Sequence, residues 1–166
     1  MAIRIIATGG TFDKQYDPIN GKLSFEDTHL PEILQTARLS QRVELEIAGL
    51  IDSLEMGNQQ REIILNACLK SPEDNIVIVH GTDTMTETAR YIGKEHIGKC
   101  IVLTGAMVPY SVNRSDALFN LGTAVMAAGI LGNGTWIAMN GRILRWEEAE
   151  KDKKKGVFVS RDTTQN

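Results

Sequence analysis

The sequence predicts an α/β fold, an open and mostly parallel sheet with helices on both faces. Short runs rich in isoleucine and valine alternate along the chain with longer segments of helical character. This is the βαβα order of such folds, in which crossovers between parallel strands are right-handed. Most of the short runs also lack polar alternation, as expected for strands that are covered on both faces.

Five segments are predicted to form the strands of this sheet. Each is a run dominated by apolar and β-branched residues, which pack well on a pleated surface. In chain order, the predicted strands are Ile3–Ala7, Val43–Ala48, Ile76–Val79, Cys100–Leu103 and Thr135–Met139.

Four segments between these strands are predicted to be helices. The signals are a proline near a helix start, an acidic residue before a start, and apolar residues spaced by three or four. The predicted helices are Leu30–Ala37, Asn58–Leu69, Thr84–Ile92 (with Asp83 as a candidate cap) and Asn113–Gly129. The apolar faces of the second and fourth are predicted to contain Ile63, Ile64, Ala67 and Cys68, and Leu118, Leu121, Val125 and Ala128.

Two segments do not follow this alternation. Phe12–His29 contains aspartate, proline, asparagine and glycine but little hydrophobic periodicity. A connection of this length without structure of its own is often an active-site lid. Arg145–Gly156 is dense in charged residues, and most of it is predicted to be a solvated helix or loop.

Length and charge limit the classes of function. The 166 residues suit one compact domain, 1–166, and 42% of them are hydrophobic, as in ordinary globular proteins. A net charge of −3 gives no overall field that favours nucleic acid or an anionic membrane. We therefore expect a small molecule or a protein as the partner.

The cysteines and the N-terminus indicate an intracellular protein. Cys68 and Cys100 stand alone, without a CxxC pair or neighbouring histidines, which disfavours a disulfide scaffold or a structural zinc site. The chain begins with no signal-peptide pattern, and its apolar runs are too short to span a bilayer. A cytoplasmic location without membrane association is the resulting prediction.

Polar residues follow several of the predicted strands at their carboxyl ends. They are Thr8-Gly9-Gly10-Thr11, Asp52-Ser53, His80-Gly81-Thr82-Asp83-Thr84 and Gly105-Ala106. A parallel sheet brings such loops to one edge, where open α/β folds bind their ligands. The sequence therefore predicts one small-molecule site built from distant segments.

The glycine turn after the first strand suits an acyl-transfer site. Gly9 and Gly10 let the backbone approach a ligand and present amide hydrogens to a developing oxyanion. Thr11 would place a hydroxyl beside those donors, but a hydroxyl is a poor nucleophile until a base takes its proton.

The residues leave the identity of that base open. His80 is predicted to be a core or strand-end residue, whereas His29 and His96 are predicted to lie on the surface, so a Ser-His-Asp arrangement is disfavoured. A lysine amine could serve if nearby cations and burial favoured its neutral form. Lys151 is the candidate, and Asp83 could hold that lysine or bind a substrate ammonium.

Two motifs together resemble a known family. "IIATGGTF" and "VIVHGTDTMTETA" are similar to the two signature motifs of the bacterial-type L-asparaginases. "IDSLEM" resembles the substrate-binding segment of their cytoplasmic branch, and "VLTGAMVP" resembles their fourth strand and loop. The resemblance covers essentially the whole chain, at the length of the family's N-terminal, flavodoxin-like catalytic domain, with the C-terminal domain absent.

The resemblance implies an activity and the catalytic residues. The implied reaction is hydrolysis of L-asparagine to L-aspartate and ammonia, without a metal or cofactor. By motif position, Thr11 resembles the nucleophile or first-loop threonine, and Thr82 would form a Thr-Lys-Asp triad with Lys151 and Asp83. Tyr16 resembles the lid tyrosine that closes over Thr11.

The substrate-binding residues follow from the same motifs. Asp52 and Ser53 would hold the α-carboxylate and ammonium of the substrate, with help from Asp83. The backbone of Ala106 would contact the side-chain amide, and Gly10 and Gly81 would line the pocket. Lys153 lies close enough in sequence to compete with Lys151 for the triad position.

Two departures from the family leave alternatives open. Leu54 stands where some relatives carry a polar residue, which affects selectivity among amides. The family's second domain helps to build a dimer around each site, so its absence implies either a naturally short enzyme that forms a different homo-oligomer (dimer or tetramer), or a fragment. The alternatives are a glutaminase, an amidotransferase-type amidohydrolase, or a non-catalytic amino-acid-binding domain.

Overall fold

The computed structural model describes residues 2–161, and its centre is a six-stranded sheet in the order β4-β1-β5-β6-β7-β8. The strands of this sheet are β1 (Ala2–Gly9), β4 (Arg42–Ile51), β5 (Asn75–Val79), β6 (Cys100–Thr104), β7 (Gly134–Met139) and β8 (Arg142–Arg145). The first five of these run parallel, and β8 pairs with β7 in the antiparallel direction. The predicted fold class is therefore confirmed.

The parallel strands have the doubly wound order of flavodoxin-like folds. Taken in chain order, the five parallel strands are arranged 2-1-3-4-5. The chain leaves β1 toward one side of the sheet and later returns to its other side as β5. Ligands of such folds bind outside the carboxyl ends of the strands at this switch point, which here lies between the loops that follow β1 and β5.

Four helices cover the two faces of the sheet. They are α1 (Leu30–Ala37), α2 (Asn58–Lys70), α3 (Met85–Gly93) and α4 (Ala117–Ile130). One core cluster contains residues of α1 and α4, and the other contains residues of α2 and α3. Adjacent strand residues alternate between them: Ile5 faces the first cluster and Ile6 the second. This burial on both faces explains the unbroken apolar runs.

One crossover differs in hand from the others. The connections through α2, α3 and α4 all advance in the same direction across the sheet, yet α2 and α3 lie on one face and α4 on the other. The expectation of uniform handedness is therefore wrong at β6-α4-β7. The long loop 105–116 precedes α4 and carries the chain to the opposite face.

Helix boundaries and faces differ from the predictions in places. The fourth helix begins at Ala117 rather than Asn113, because the Asp116 carboxylate accepts hydrogen bonds from the Met107 and Val108 amides of the preceding loop, at 3.0 and 2.9 Å. Ile63 and Leu118, predicted to face the core, are 49% and 54% exposed. Both lie at the margins of their apolar faces.

The charge-dense segment is a strand and a turn, rather than mostly a helix or loop. β9 (Ala149–Asp152) and β10 (Val157–Ser160) form an antiparallel pair. The strand period is hidden because Lys151 and its neighbours Glu150 and Asp152 are all charged, although Ala149 is fully buried. Charged residues on both faces of a short strand remove the alternation by which it would be recognised.

The predicted lid has more structure than its sequence suggests. A 3₁₀ turn (Thr11–Asp13) is followed by a small hairpin of β2 (Gln15–Asp17) and β3 (Lys22–Ser24). Asp13 closes the base of this loop, because its Oδ1 accepts hydrogen bonds from the Thr28 hydroxyl and the His29 amide, both at 3.0 Å.

No helix between residues 2 and 161 is long and apolar enough to cross a membrane.

Candidate active site

Glycines bring the predicted site loops into backbone contact. A Cβ built on Gly10 would lie 2.3 Å from the Cα of Gly81, and one built on Gly81 would lie 2.5 Å from Ser53 Oγ. The loop before Thr11, the loop before Thr82 and the loop after β4 are therefore stacked without space for side chains between them. The structure gathers these three segments at one edge of the sheet, as their positions after the strands predict.

Lys151 contacts two of the predicted site residues. Its Nζ donates to Thr82 Oγ1 at 2.8 Å and to Asp83 Oδ1 at 2.7 Å. The Lys151 side chain is only 10% exposed and Asp83 is 44% exposed. Lys153, the competing residue, lies on the exposed turn beyond β9. The geometry thus joins a hydroxyl, an amine and a carboxylate through Lys151.

The core holds β9 in the position that delivers Lys151. Ala149 is fully buried and its carbonyl accepts a hydrogen bond from Arg90 of α3 at 3.0 Å. Phe158, the cross-strand neighbour of Lys151, is buried, and its amide donates to Asn140 Oδ1 at 3.0 Å. Contacts of both strands of the short hairpin therefore position Lys151.

The two threonines of the first loop have different surroundings. Thr8 is buried and its hydroxyl donates to the Val79 carbonyl at 2.8 Å, which is a structural role. Thr11 begins the 3₁₀ turn and is partly exposed. The Gly10 amide donates to the Ile51 carbonyl at 3.0 Å, so the turn is anchored to β4.

Tyr16 and Ala106 occupy contrasting positions. Tyr16 lies on β2 with 63% of its side chain exposed, so its closure over Thr11 stays a prediction. Ala106 is fully buried in the loop after β6. The preceding Gly105 carbonyl accepts a hydrogen bond from Asn120 Nδ2 of α4 at 3.0 Å, which fixes that loop.

Asp52 has a partner that the sequence did not indicate. Its carboxylate forms an ion pair with Lys14 and also accepts the Leu54 amide at 3.0 Å. The hydrogen bond from Lys14 lowers the pKa of Asp52 below its usual range. Ser53 beside it is 1% exposed, and its carbonyl accepts the Thr84 hydroxyl at 2.8 Å. Thr84 rather than Asp83 is the cap residue of α3. The Asp83 carboxylate is bonded to Lys151 instead.

His80 belongs to a buried hydrogen-bonded chain, as its strand-end position predicted. Arg61 Nε donates to Thr88 Oγ1 at 3.2 Å, and Thr88 Oγ1 lies 2.9 Å from His80 Nε2. The other ring nitrogen lies 2.7 Å from the Gly81 carbonyl. Since a carbonyl only accepts, His80 Nδ1 carries the proton and Nε2 accepts from Thr88. The chain thereby holds the Gly81 carbonyl beside Thr82.

The burial of His80 predicts a specific pH dependence of stability. Burial, aided by Arg61, lowers the pKa of His80 to about 4. The unfolded chain binds a proton from about pH 6.5 downward, but the folded chain does so only near the lower value. The free energy of unfolding should therefore fall by about 3 kcal/mol as pH drops across that window.

Urea titrations at several pH values measure this effect. The His80→Gln variant is the control, and the component described above should be missing from its pH profile. Identical profiles for the two proteins would contradict the assignment.

A further prediction concerns the stacked glycines. Gly10 has φ of 82°, and Gly98 also has a positive φ, 73°, but open space where a Cβ would lie, with nothing within 4 Å. Gly10→Ala should cost about 1 kcal/mol for its conformation and more for the clash with Gly81. Gly98→Ala should show only the conformational cost. Equal losses in urea unfolding of the two variants would show that the contact is not tight.

The other two histidines and the two cysteines differ in exposure. His96 is exposed, as predicted, but His29 is half-buried beside Tyr110, with ring centroids 5.2 Å apart, which corrects its predicted surface position. Both cysteines are free and buried, and burial raises the pKa of Cys68 to about 12. Within residues 2–161, no three His, Cys, Asp or Glu side chains are grouped as a metal site requires.

Comparison with known proteins places this chain in a family. The family profile described as "Asparaginase, N-terminal" matches residues 2–160. L-asparaginase 1 of Escherichia coli is 30% identical over 160 residues, which are 90% of this chain and 47% of that protein. A glutaminase-asparaginase of Pseudomonas aeruginosa is 44% identical over 82 residues, which are 47% of this chain and 23% of that protein.

Solved structures of asparaginases superpose closely on this chain. The thermostable L-asparaginase of Thermococcus kodakarensis superposes with a TM-score of 0.85 at 25% identity, covering 96% of this chain and 51% of that one. A probable cytoplasmic L-asparaginase of Campylobacter jejuni superposes with a TM-score of 0.81 at 28% identity, with the same coverage. The chain thus spans about half the length of most of these relatives. It belongs to the asparaginase family and corresponds to its N-terminal domain.

Proposed function

We propose that the chain hydrolyses the side-chain amide of L-asparagine to L-aspartate and ammonia, without a cofactor. The observation that carries this proposal is the pair of hydrogen bonds from Lys151 Nζ to Thr82 and to Asp83. The glycine contact that stacks the Thr11 loop on the Thr82 loop adds a second hydroxyl to the same edge of the sheet. Amide hydrolysis needs a nucleophile, a proton carrier and an oxyanion site, and we assign these roles to the two loops together with Lys151 of β9.

Thr11 is the proposed nucleophile. Its oxygen attacks the amide carbonyl, and its proton passes through the Thr82 hydroxyl to Lys151, which reaches Thr82 directly and acts in its neutral amine form. The proton then moves to the amide nitrogen, the C–N bond breaks and ammonia leaves an aspartyl ester on Thr11. Water attacks the ester by the same proton route, which releases aspartate and restores Thr11.

The backbone of the glycine turns is the proposed oxyanion site. Gly10 and Gly81 are in contact, and because the Gly10 amide is bonded to the Ile51 carbonyl, the proposed donors are other backbone amides of these two loops. One such donor in comparable enzymes contributes about 3 kcal/mol to transition-state stabilisation. Ala106 is proposed to contact the side-chain amide through its backbone, and Tyr16 to close over Thr11 from the hairpin.

The amino-acid end of the substrate is assigned to the loop after β4 and to Asp83. Asp83 keeps 44% of its side chain exposed while it binds Lys151, so an ammonium can still approach its second oxygen. Asp52 and Ser53 border the same stack of glycines. Leu54 is 72% exposed and apolar, and it offers no hydrogen bond to the substrate.

An ammonia-release assay with asparagine and glutamine tests the proposal. We expect release from asparagine to exceed release from glutamine. Glutamine as the better substrate would favour the glutaminase alternative, in keeping with relatives named glutaminase-asparaginase. Binding of L-aspartate without ammonia release from either amide would instead indicate a non-catalytic binding domain.

The assembly and the cellular location of the protein form a separate proposal. We propose a cytoplasmic homo-oligomer, a dimer or tetramer, that acts on a small molecule and not on nucleic acid or membranes. The relatives include both a probable cytoplasmic and a probable periplasmic asparaginase. Light scattering of the purified protein, with and without L-aspartate, measures the oligomeric state.

A further inference from the structure

The ion pair between Lys14 and Asp52 lies at the edge of the proposed site. Lys14 directly follows the 3₁₀ turn that carries Thr11, and Asp52 directly precedes Ser53. Ser53 Oγ contacts Gly81, the neighbour of Thr82. The two charges therefore join the loop after β1 to the loop after β4, immediately beside the stacked glycines.

Both partners keep unused hydrogen-bonding capacity. Lys14 Nζ has three N–H donors, and its described contacts are Asp52 Oδ2 and the ring of Phe25, 5.7 Å from the centroid. Asp52 accepts from Lys14 and from the Leu54 amide, which leaves carboxylate lone pairs free. The side chains are 20% and 28% exposed, so a small solute can reach them.

Stability alone gives little reason for this pair. The loops that it joins are already held by the glycine stack and by the Gly10 amide bonded to the Ile51 carbonyl. We therefore expect the Lys14 ammonium to matter more for binding a charged ligand than for stabilising the fold.

We propose that Lys14 is a specificity-determining residue that binds the α-carboxylate of the substrate while the α-ammonium is shared between Asp52 and Asp83. This inference rests on the proposed function. An α-amino acid carries one positive and one negative group on the same carbon, and Lys14 with Asp52 is their charge complement. In the free protein the two side chains neutralise each other. When the amino acid binds between them, its carboxylate pairs with Lys14 and its ammonium with Asp52.

The position of Leu54 strengthens the inference. Its exposed apolar side chain cannot bind the amino-acid end of the substrate, so recognition falls to the charged groups nearby. Among the described residues, Lys14 is bonded to this loop through Asp52. Lys151 is bonded to Thr82 and Asp83 instead. The protein should therefore prefer substrates that carry a free α-carboxylate.

Substrates that differ only in this carboxylate test the proposal. Asparagine is compared with 3-aminopropanamide, which keeps the amide and the ammonium but lacks the α-carboxylate. For asparagine, Lys14→Met should lower kcat/KM by at least about tenfold, mainly through KM, as expected for a lost charge-assisted contact. For 3-aminopropanamide, the same variant should change kcat/KM by less than about twofold.

The control is Lys22→Met, which removes an exposed lysine of the same hairpin and should leave both substrates unaffected. Equal losses on both substrates for Lys14→Met would show that Lys14 only positions the loop and would overturn the proposal. An unchanged kcat/KM for asparagine would overturn it as well.

Failure of the proposed function has a separate signature. If the unaltered protein releases ammonia from neither asparagine nor 3-aminopropanamide, calorimetric titration with L-aspartate and with β-alanine replaces the assay. Lys14→Met should then weaken L-aspartate binding by at least about tenfold and leave β-alanine binding unchanged. Equal changes, or no binding of L-aspartate, would exclude the role of Lys14.

Discussion

Lys151→Met should lower kcat for asparagine by about 10²- to 10⁴-fold, the usual contribution of a positioned proton carrier. The amine is the only group in the described structure bonded to both the Thr82 hydroxyl and the Asp83 carboxylate. Methionine keeps the apolar stem that packs in this place, so the loss should be chemical. Steady-state ammonia release measures kcat, and urea unfolding verifies that the variant is folded.

Lys153→Met is the matched control for Lys151. This residue has the same chemistry two positions along the chain, but it lies on the exposed turn between β9 and β10. Its replacement should change kcat by less than about twofold. A large loss for Lys153→Met with activity retained in Lys151→Met would reverse the assignment of the lysine.

Thr11→Val should have the largest effect on turnover, a loss of about 10⁴-fold or more, because Thr11 forms the ester in the proposed route. Valine has the shape of threonine without its hydroxyl, so the 3₁₀ turn should be preserved. L-Aspartate should still bind, as calorimetry can measure. Substantial turnover by this variant would exclude Thr11 as the nucleophile.

Thr82→Val separates the roles of the two hydroxyls. Under the proposed proton route it removes the link between Thr11 and Lys151, and it should lower both formation and hydrolysis of the ester. Mass spectrometry of acid-quenched reactions should therefore find any aspartyl adduct on the peptide that contains Thr11, in both the unaltered protein and Thr82→Val. An adduct on the Thr82 peptide would exchange the two roles.

The fold was predictable because its strands are buried on both faces. Ile5 and Ile6 face opposite cores, and this arrangement leaves a continuous apolar run that is visible in the sequence. The hand of the β6-α4-β7 crossover was not predictable, because it depends on where the loop 105–116 carries the chain. The tight hairpin between β7 and β8 did leave a signal in the sequence, the pair Asn140-Gly141. Both residues have positive φ, 55° and 73°, as two-residue hairpin turns require.

The candidate site was predictable where it lies at strand ends and unpredictable where it depends on distant pairing. Thr11, Thr82 and Asp52 follow strands, so the sheet alone brings them together. Lys151 was indicated by resemblance, while β9, which carries it, was hidden by charge. The Lys14–Asp52 pair joins residues 38 positions apart with no periodic signal between them, and only the folded loops show it.

A crystal structure with L-aspartate bound tests the central claim most directly. The claim is that Thr11 and Thr82 border one cavity in which Lys151 handles the proton. The side-chain carboxylate of aspartate should lie within hydrogen-bonding distance of both hydroxyls, with the α-ammonium at Asp83. Aspartate bound away from the glycine stack, or hydroxyls of Thr11 and Thr82 that open into separate spaces, would contradict it.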